Sequence, residues 1–260
     1  MTKKIILSVF TFLLVSVILY VAKESSSNSP VSIIRYNGLE NESSADSNIL
    51  VFRVNYLGLI PAGQARLENK GIEFYQGRSV YHLSAEAKPL DFYSKFFKAQ
   101  AQADSYVDSD KLYTLKFEQI LMPPNNPEDK KEILYDQENN FMELRGVRRH
   151  ILPGTQDPLS AIFYIRHQNL EIGKEFDINI NTNQKNYQLY AKVIGREEYA
   201  LGAKRVGVWV LEGIIRRRDK NPYHKTTMKL WLLDNPSKIP VLIKTMTNIG
   251  LITTRLTEVE

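Results

Sequence analysis

The residue types that most often carry catalysis or bind metal ions form no recognisable cluster in this sequence. The histidines are scattered, with no two at the spacing that puts both rings on one face of a strand or helix: His82, His150, His167 and His224. Cysteine is absent, which removes thiol chemistry, a lipoprotein anchor and the usual ligands of structural zinc. Neither a G-x-S-x-G nucleophile turn nor a glycine-rich phosphate loop occurs. We therefore predict no enzyme, and neither a cofactor nor a metal ion.

Three aspartates remain as candidates for acid chemistry, because a pair of carboxylates can hydrolyse a glycosidic bond. Asp136 and Asp234 stand in turn-like contexts, and Asp157 directly precedes Pro158, where a helix is expected to begin. A carboxylate at that place accepts hydrogen bonds from the first backbone N–H groups of the helix. Each aspartate thus has a structural explanation, and a glycan-directed hydrolase is the weakest of the functions considered.

Large apolar side chains and one arginine give a binding function more support. Arg166 lies on the same helical face as Leu159 and Phe163, where a guanidinium could meet an anionic headgroup. Its structural alternative is a pair with a carboxylate or with strand-end carbonyl groups. The residues predicted to line a site for a lipid, acyl chain or other amphipathic ligand are Phe96, Phe97, Phe163, Arg166, Trp209 and Trp231. The alternative is that these rings fill the core.

The charge balance argues against nucleic acid as a partner. Of 34 basic and 29 acidic residues, Lys3 and Lys4 precede the first apolar stretch, so the remaining chain carries only a slight positive charge. Basic residues concentrate at 145–150 (RGVRRH) and 216–220 (RRRDK). These clusters are either solvated charges at loops and strand ends or contacts for anionic lipid headgroups.

The N-terminus has the form of an export signal. Lys3 and Lys4 precede Ile5–Ala22, which contains no charge, and a helix of that length spans roughly 27 Å, close to the hydrocarbon thickness of a bilayer. Tyr20 is too bulky for the −3 position before a cut at Ala22, although a cut after Ser27 stays open. The segment is either a cleaved signal peptide or an uncleaved anchor that contacts the membrane. Both place the remainder in the periplasm or cell envelope.

Composition divides the chain into the targeting segment 1–22, a tether at 23–48 and a β-rich domain at 49–260. The tether is rich in Ser, Asn and Glu, which is typical of extended, mobile linkers. From Ile49 onward, apolar and polar residues alternate with the period of two that is typical of strands with one buried face. Glycine-containing turns separate these runs, which indicates antiparallel hairpins. Residues 89–100 have helical spacing and predict a short helix or turn.

One principal helix is predicted at Pro158–Gln168, with Asp157 as its N-cap and Pro158 at its first position. Because this segment is apolar nearly all round, it must be covered on most sides. The predicted fold is therefore mainly β, a single curved antiparallel sheet of roughly nine to twelve strands that forms an open or half barrel. The principal helix is expected on the concave face, and the N-terminal hydrophobic targeting helix is a separate element.

Several motifs occur in a characteristic order along the domain. They are Phe52–Gly58 followed by Ala62–Ala65, Ile133–Asp136, Gln156–Arg166 (QDPLSAIFYIR), and Leu230–Asp234 followed by Lys238–Val241. Together they resemble an exported bacterial family, the domain of unknown function 3108 family, over Ile49–Glu260. The resemblance implies export but brings no activity or catalytic residue. More loosely, the end of the sequence is similar to the last hairpins of periplasmic lipoprotein carriers, which are unclosed barrels around a lipid site, although fold does not determine function.

Three classes of function follow from these observations. The first is a non-enzymatic cell-envelope protein that binds a lipid, acyl chain or other amphipathic ligand in the concave face of the sheet. The second is a structural or interaction protein of the envelope, which has a filled core and contacts a partner through a sheet edge or a basic patch. The third is the hydrolase. The sequence identifies no particular protein partner.

Overall fold

The computed structural model describes residues 35–36, 49–90, 100–122, 127–218, 225–247 and 250–260. Within them the chain forms one α-helix and a 15-stranded sheet. The helix is α1 (Pro158–Arg166). The strands are β1 (Arg35–Tyr36), β2 (Ile49–Tyr56), β3 (Ile60–Tyr75), β4 (Arg78–Pro89), β5 (Gln100–Asp108), β6 (Thr114–Met122), β7 (Asp129–Asp136), β8 (Phe141–Leu144), β9 (Val147–His150), β10 (Glu175–Thr182), β11 (Lys185–Leu201), β12 (Lys204–Arg217), β13 (Lys225–Leu233), β14 (Pro240–Thr247) and β15 (Gly250–Val259).

The strands pair in the order β10-β11-β12-β13-β14-β15-β2-β3-β4-β5-β6-β7-β8-β9, and β1 adds in parallel to the end of β15. Neighbours along this order are antiparallel, and most are consecutive hairpins, as the sequence predicted. The two ends of the domain meet where β2 pairs with β15, because Ile49 and Glu260 exchange two backbone hydrogen bonds of 3.1 and 2.9 Å. Strands β9 and β10 are left at opposite edges, so the predicted open antiparallel sheet is confirmed.

The contacts of helix α1 require the sheet to be strongly curved. The helix touches β10, at one edge, as well as β4 and β5, and β4 lies eight strands away from β10 in the pairing order. In a flat sheet that separation would be roughly 38 Å, whereas a helix with its side chains is only about 10–12 Å wide. The sheet therefore wraps around α1, which lies on the concave side.

The sequence of α1 explains both its start and its burial. Asp157 is the N-cap, with extended backbone angles, and Pro158 occupies the first turn, where its missing N–H removes no hydrogen bond. Apart from Tyr164 and Arg166, every residue of the helix is buried. On one side it packs with inner residues of β10–β14, and on the other Leu159 joins a second core, which contains residues of β2–β8 and of β11–β15. The prediction of a helix covered nearly all round is confirmed, although the helix ends at Arg166.

The sheet has more strands than the sequence predicted, and local turn geometry is one reason. Residues 141–147 read as one strand, but Arg145 and Gly146 both have positive φ (54° and 73°), the conformation of a tight hairpin turn. They split the run into β8 and β9. A further strand, β1, lies inside the predicted tether.

Two predicted elements fall on parts of the chain that the structure does not describe. These are the N-terminal targeting helix within residues 1–22 and most of the helix or turn at 89–100. In the described part of the chain, no helix has the length and apolar character needed to cross a membrane.

Candidate functional site

A buried cluster of one carboxylate and three hydroxyl groups holds the start of helix α1. The Asp157 carboxylate accepts hydrogen bonds from the backbone N–H groups of Leu159 (2.7 Å) and Ser160 (3.1 Å). Its second oxygen accepts from the hydroxyls of Thr114 (2.7 Å) and Ser105. The Ser160 hydroxyl accepts from the Asp157 backbone N–H (2.9 Å), which completes a capping box. Because Ser105 lies on β5 and Thr114 on β6, the cluster joins the helix to two strands.

Burial dominates the electrostatics of this cluster. Asp157 is completely buried, and burial raises the pKa of its carboxyl, although hydrogen bonds from Ser105 and Thr114 oppose the increase. Burial also raises the pKa of the nearby Tyr135 phenol, and the charge of Asp157 adds to that effect. Since both carboxylate oxygens are shielded from solvent and occupied by donors, the arrangement suits the fixing of the helix to the sheet.

The residue before the cap connects the two halves of the sheet. The backbone N–H of Gln156 donates to the Asn179 carbonyl of β10 (2.8 Å), within an isolated parallel bridge. The Gln156 side-chain amide donates to the Leu112 carbonyl between β5 and β6 (2.7 Å). Nearby, the Tyr135 hydroxyl of β7 donates to the Asn181 carbonyl of β10 (3.3 Å). Loop and side-chain contacts thus cover the open edge at β10.

Two of the predicted ligand-binding residues come together beside the helix. Phe163 packs against Leu83 of β4, and its ring centre lies 4.9 Å from that of Tyr81. The Arg166 guanidinium donates from Nε (3.1 Å) and Nη2 (3.0 Å) to the Ser237 carbonyl. Burial lowers the pKa of the adjacent Lys238, and the charge of Arg166 contributes to the decrease. The sequence left two roles open for Arg166, a ligand contact or a structural bond to a carboxylate or carbonyl group. In the structure it makes a bond to a carbonyl group.

Little space remains between helix α1 and the sheet. A cavity of about 50 Å³ lies there, and its lining includes both Phe163 and Arg166, together with Leu50, Leu67 and Leu83. Sites for small molecules usually enclose about 300–1,000 Å³, so this cavity has room for a few water molecules only. Around this cavity, the side chains of the described residues occupy most of the space between the helix and the sheet.

Trp209 lies on the inner face but away from this cavity. It belongs to the core that the inner residues of β10–β14 form with the helix, and the guanidinium carbon of Arg196 lies 3.8 Å from its ring centre. Phe96 and Phe97 lie outside the described residues. Of the residues predicted to line a ligand site, the structure brings only Phe163 and Arg166 to the cavity.

Trp231 lies on the face of β13 opposite to the helix, yet it is only 7% exposed and belongs to a buried core with Val210 and Leu242. Its neighbours on β13, Leu230 and Leu232, pack in the helix-side core, and side chains alternate between faces along a strand. The ring lies between two lysines, with Lys229 Nζ at 5.3 Å and Lys244 Nζ at 5.4 Å from its centre. This placement differs from the expected inner position because β13 is apolar on both faces, so the sequence pattern does not show which face is concave.

The three aspartates considered for acid chemistry lie on separate elements. Asp136 accepts from the Asn139 backbone N–H (3.0 Å) in the turn after β7, and Asp157 is the helix cap. Asp234, at the end of β13, forms an ion pair with Arg196 (3.3 Å). Within the described ranges, no group of three or more His, Asp or Glu residues is arranged to hold a metal ion.

A polar cleft of about 320 Å³ opens beside Asp136. Its two arginines are neutralised by neighbouring carboxylates, since Arg78 pairs with Asp108 (3.3 Å) and Arg148 pairs with Glu143 (3.3 Å). A charged ligand would have to displace these pairs, which makes the cleft a weak candidate for a binding site.

An ionic cluster on the outer face of β3–β5 escaped the sequence analysis, which found the histidines unpaired. His82 contacts Glu73 through Nδ1 (2.7 Å) and Asp104 through Nε2 (2.8 Å), and Lys70 donates to the same Asp104 oxygen (3.0 Å). Burial alone would raise the pKa of Asp104, but hydrogen bonds from Lys70 and His82 outweigh it and hold the pKa below its usual value. Each of these four side chains therefore has a partner within the cluster.

A groove of about 520 Å³ lies on the outer face of β11–β15. Its floor is a mainly apolar row of residues that pair directly from strand to strand: Tyr190, Ile214, Thr227, Met246 and Leu251. We call this set the apolar row. Tyr190 is 41% exposed and Met246 is 50% exposed. With neighbouring strands about 4.8 Å apart, the row is roughly 19 Å long.

A charged row borders the apolar row, two residues further along each strand and therefore about 7 Å away. It consists of Lys192, Glu212, Lys229, Lys244 and Thr253, again paired from strand to strand. We call this set the lysine row. Lys229 binds Glu212 (3.4 Å), and Lys192 binds Glu175 of β10 (3.0 Å). Lys244 is exposed and has no carboxylate partner among the described residues.

The amino-acid sequence does not reveal this groove. Each strand contributes only one residue to the apolar row and one to the lysine row, so no single segment shows the pattern. The available signal was the exposed side of each alternating strand, such as Lys244 and Met246 on β14. The register between strands, which joins these positions, depends on the completed sheet.

Comparisons with known proteins agree with this fold. A family model described as "Protein of unknown function (DUF3108)" matches residues 51–257. Comparison with curated protein sequences yields no match.

Solved structures similar to this chain include a β-barrel-like protein of domain of unknown function DUF1849 from Brucella abortus, at 9% identity and a TM-score of 0.52 over 83% of this chain and 98% of that chain. This likeness shows a shared fold. A putative exported protein with a YmcC-like fold from Bacteroides fragilis matches at 7% identity and a TM-score of 0.36, over 83% of this chain and 96% of that chain. The hypothetical lipoprotein YmcC from Escherichia coli (K12) matches at 11% identity and a TM-score of 0.34, over 84% and 90%.

Proposed function

The chain belongs to the DUF3108 family of proteins of unknown function, and on that premise we propose that it is a non-enzymatic protein of the bacterial cell envelope that binds its partners on the outer surface of its sheet. The observation that carries the proposal is a difference in volume. About 50 Å³ is free between the helix and the sheet, whereas the groove on the outer face of β11–β15 measures about 520 Å³. A filled interior favours the interaction function over a carrier that encloses a lipid.

The attachment of helix α1 supports the same function. Its first turn is tied to β5 and β6 through Asp157, and its last residue, Arg166, is tied to the Ser237 carbonyl. An enclosed acyl chain would need the helix to move away from the sheet. That movement would break the buried hydrogen bonds of the first turn, where each unsatisfied buried group costs about 1–3 kcal/mol, and the part-buried bonds of Arg166.

Native mass spectrometry tests whether the interior holds a ligand. The chain from residue 23 onward is exported behind a cleavable signal and purified without detergent, as wild type and as Phe163→Trp, which adds volume beside the inner cavity. We expect any co-purified mass to be the same in both proteins. Phe74→Trp, at a ring that is 78% exposed, is the matched control. Loss of a bound mass in a folded Phe163→Trp protein alone would contradict the proposal and favour the lipid carrier.

The envelope location depends on residues 1–22 and is tested separately in cells that produce the full chain. A reporter that functions only in the cytoplasm should be inactive when fused after Glu260, and protease added outside the cytoplasmic membrane should digest the domain. A decrease of roughly 2–3 kDa between precursor and mature forms would show that the segment is a cleaved signal peptide. An unchanged mass would show an anchor, and an active reporter would contradict export.

A further inference from the structure

We propose that the outer groove of β11–β15 binds one single-chain anionic amphiphile, a fatty acid, with its hydrocarbon chain along the apolar row and its carboxylate at the lysine row. The inference rests on the proposed function, because it names the class of ligand that the outer surface takes.

The lysine row carries positive charge that the described residues do not balance. Lys229 and Lys244 stand directly opposite each other on β13 and β14, and like charges in that position destabilise a sheet. Only Lys229 has a carboxylate partner, Glu212 at 3.4 Å. Trp231 offsets part of the repulsion, because both ammonium groups lie within 5.4 Å of the centre of its electron-rich ring. A carboxylate bound between the two lysines would remove the remaining repulsion.

The apolar row fits one hydrocarbon chain. It is roughly 19 Å long, and the groove volume of about 520 Å³ falls within the range usual for small-molecule sites. Polar residues border it on both sides, since Gln188, Arg216 and Lys225 pair on the side opposite to the lysine row. An apolar strip one residue wide between two polar rows accommodates a single chain, whereas a membrane surface or a two-chain lipid would require a wider apolar area.

The test uses the full chain in washed envelopes of cells that produce it. The probe is palmitic acid that carries a diazirine ring, and without ATP it stays a free acid. After illumination, cross-linked peptides are mapped by mass spectrometry. We expect labels on the segments that contain Tyr190, Met246 or Leu251. Lys244→Ala should decrease this labelling about fivefold, the factor that one basic residue contributes to attraction of an anionic lipid. Lys130→Ala, an exposed lysine of β7, should leave it unchanged.

Two further probes test the charge of the headgroup and the number of hydrocarbon chains in the ligand. A diazirine alkylamine of the same length should label the groove at least about fivefold less than the acid, and equal labelling would overturn the carboxylate assignment. Diazirine phosphatidylglycerol that labels the groove as strongly as the acid would overturn the single-chain assignment.

The location of the labels separates this inference from the proposed function. Labels on Ile162 or Phe163, which are buried residues of the helix, would overturn both the inference and the proposed function. Two outcomes would overturn only the inference: no labelling of the groove, or labelling of Met246→Asp that is as strong as that of wild type. In both cases the proposed function stands if Phe163→Trp leaves the co-purified mass unchanged. Met246 is half exposed, so its replacement should leave the fold intact, which circular dichroism checks.

Discussion

The two faces of strands β11–β15 consist of alternating residues of the same strands, yet at the groove they differ in exposure and in charge. On the inner face, Leu211, Leu230 and Ile243 are at most 2% exposed and lie beneath helix α1. On the outer face, Tyr190 and Met246 are about half exposed and stand beside lysines. The inner face removes apolar area from water, which stabilises the fold. In the groove, the outer face leaves apolar area in water beside unbalanced charge, which is typical of a binding surface.

This comparison indicates where substitutions should affect stability and where they should affect binding. Inner residues make their contacts within the molecule, so their loss should lower the free energy of unfolding. Outer residues leave part of their surface free, so their loss should change ligand binding with little effect on unfolding. The predictions below are ordered by the size of the expected effect.

The largest effect is expected for Phe163→Ala on the inner side of the helix. Removal of a buried ring enlarges the small cavity beside it, and we expect the free energy of unfolding to decrease by about 3–5 kcal/mol. The control is Phe74→Ala, where the ring is 78% exposed and the change should stay within about 0.5 kcal/mol. Urea unfolding followed by circular dichroism measures both. Similar small losses for the two variants would mean that the inner face is loosely packed.

Asp157→Ala should have the next largest effect. The substitution removes the helix cap, worth about 1 kcal/mol, and leaves buried N–H and hydroxyl groups without an acceptor, at about 1–3 kcal/mol. We expect a total decrease of about 2–4 kcal/mol in the free energy of unfolding. Asp136→Ala, at a turn aspartate that is only partly buried, is the control and should cost clearly less. Equal losses would show that the buried cluster does not anchor the helix.

The dependence of stability on pH should have opposite signs for an inner and an outer carboxyl group. The pKa of Asp157 is raised in the folded state, so its stabilising contribution is complete below the unfolded pKa, near about 3.9, and is lost as the pH rises through the folded value. The pKa of Asp104 is lowered, so its contribution is present above about pH 3.9 and is lost as the pH falls through the folded value.

Urea unfolding of wild type, Asp157→Asn and Asp104→Asn across this pH range measures both signs. The stability advantage of wild type over Asp157→Asn should decrease as the pH rises from about 4 to 7. The advantage of wild type over Asp104→Asn should decrease as the pH falls from about 4 to 2. Two trends in the same direction would contradict the environments assigned to these carboxyl groups.

The smallest effect is expected for Lys244→Ala on the outer face. Removal of one of two opposed lysines should raise the free energy of unfolding by a few tenths of a kcal/mol, and the gain should diminish in high salt because the repulsion is screened. Lys130→Ala, which loses only a surface pair with Glu128, is the control and should show no gain. A clear loss of stability in Lys244→Ala would mean that this lysine has a structural role instead.

Local chemistry made several parts of the fold predictable. The Asp157-Pro158 step marks the start of helix α1, because capping and the missing proline N–H depend only on adjacent residues. Alternating apolar residues located strands such as β2 and β15, since the side chains of a strand alternate whatever the strand pairs with. The family motif at Gln156–Arg166 corresponds to the cap, the bridge to β10 and the helix that together join the two halves of the sheet.

Other features could not be predicted from short segments. The sequence marks Trp231 and Leu230 alike as apolar strand residues, and only the wrapping of the sheet around α1 places them on opposite faces. The size of the inner cavity depends on how closely side chains from β2, β3, β4 and α1 approach one another. Neither the face on which a strand residue lies nor the size of the cavity is a property of any single segment.

The sequence by itself determined where this protein has most of its hairpins and its one described helix, because turns, caps and alternation arise from neighbours along the chain. Only the tertiary structure decided which residues stand side by side across strands. Lys229 and Lys244 are opposed, and Tyr190, Ile214 and Met246 form one row, because the pairing register and curvature join segments that are distant in the sequence. A register shift of one residue would have turned each of these side chains to the other face.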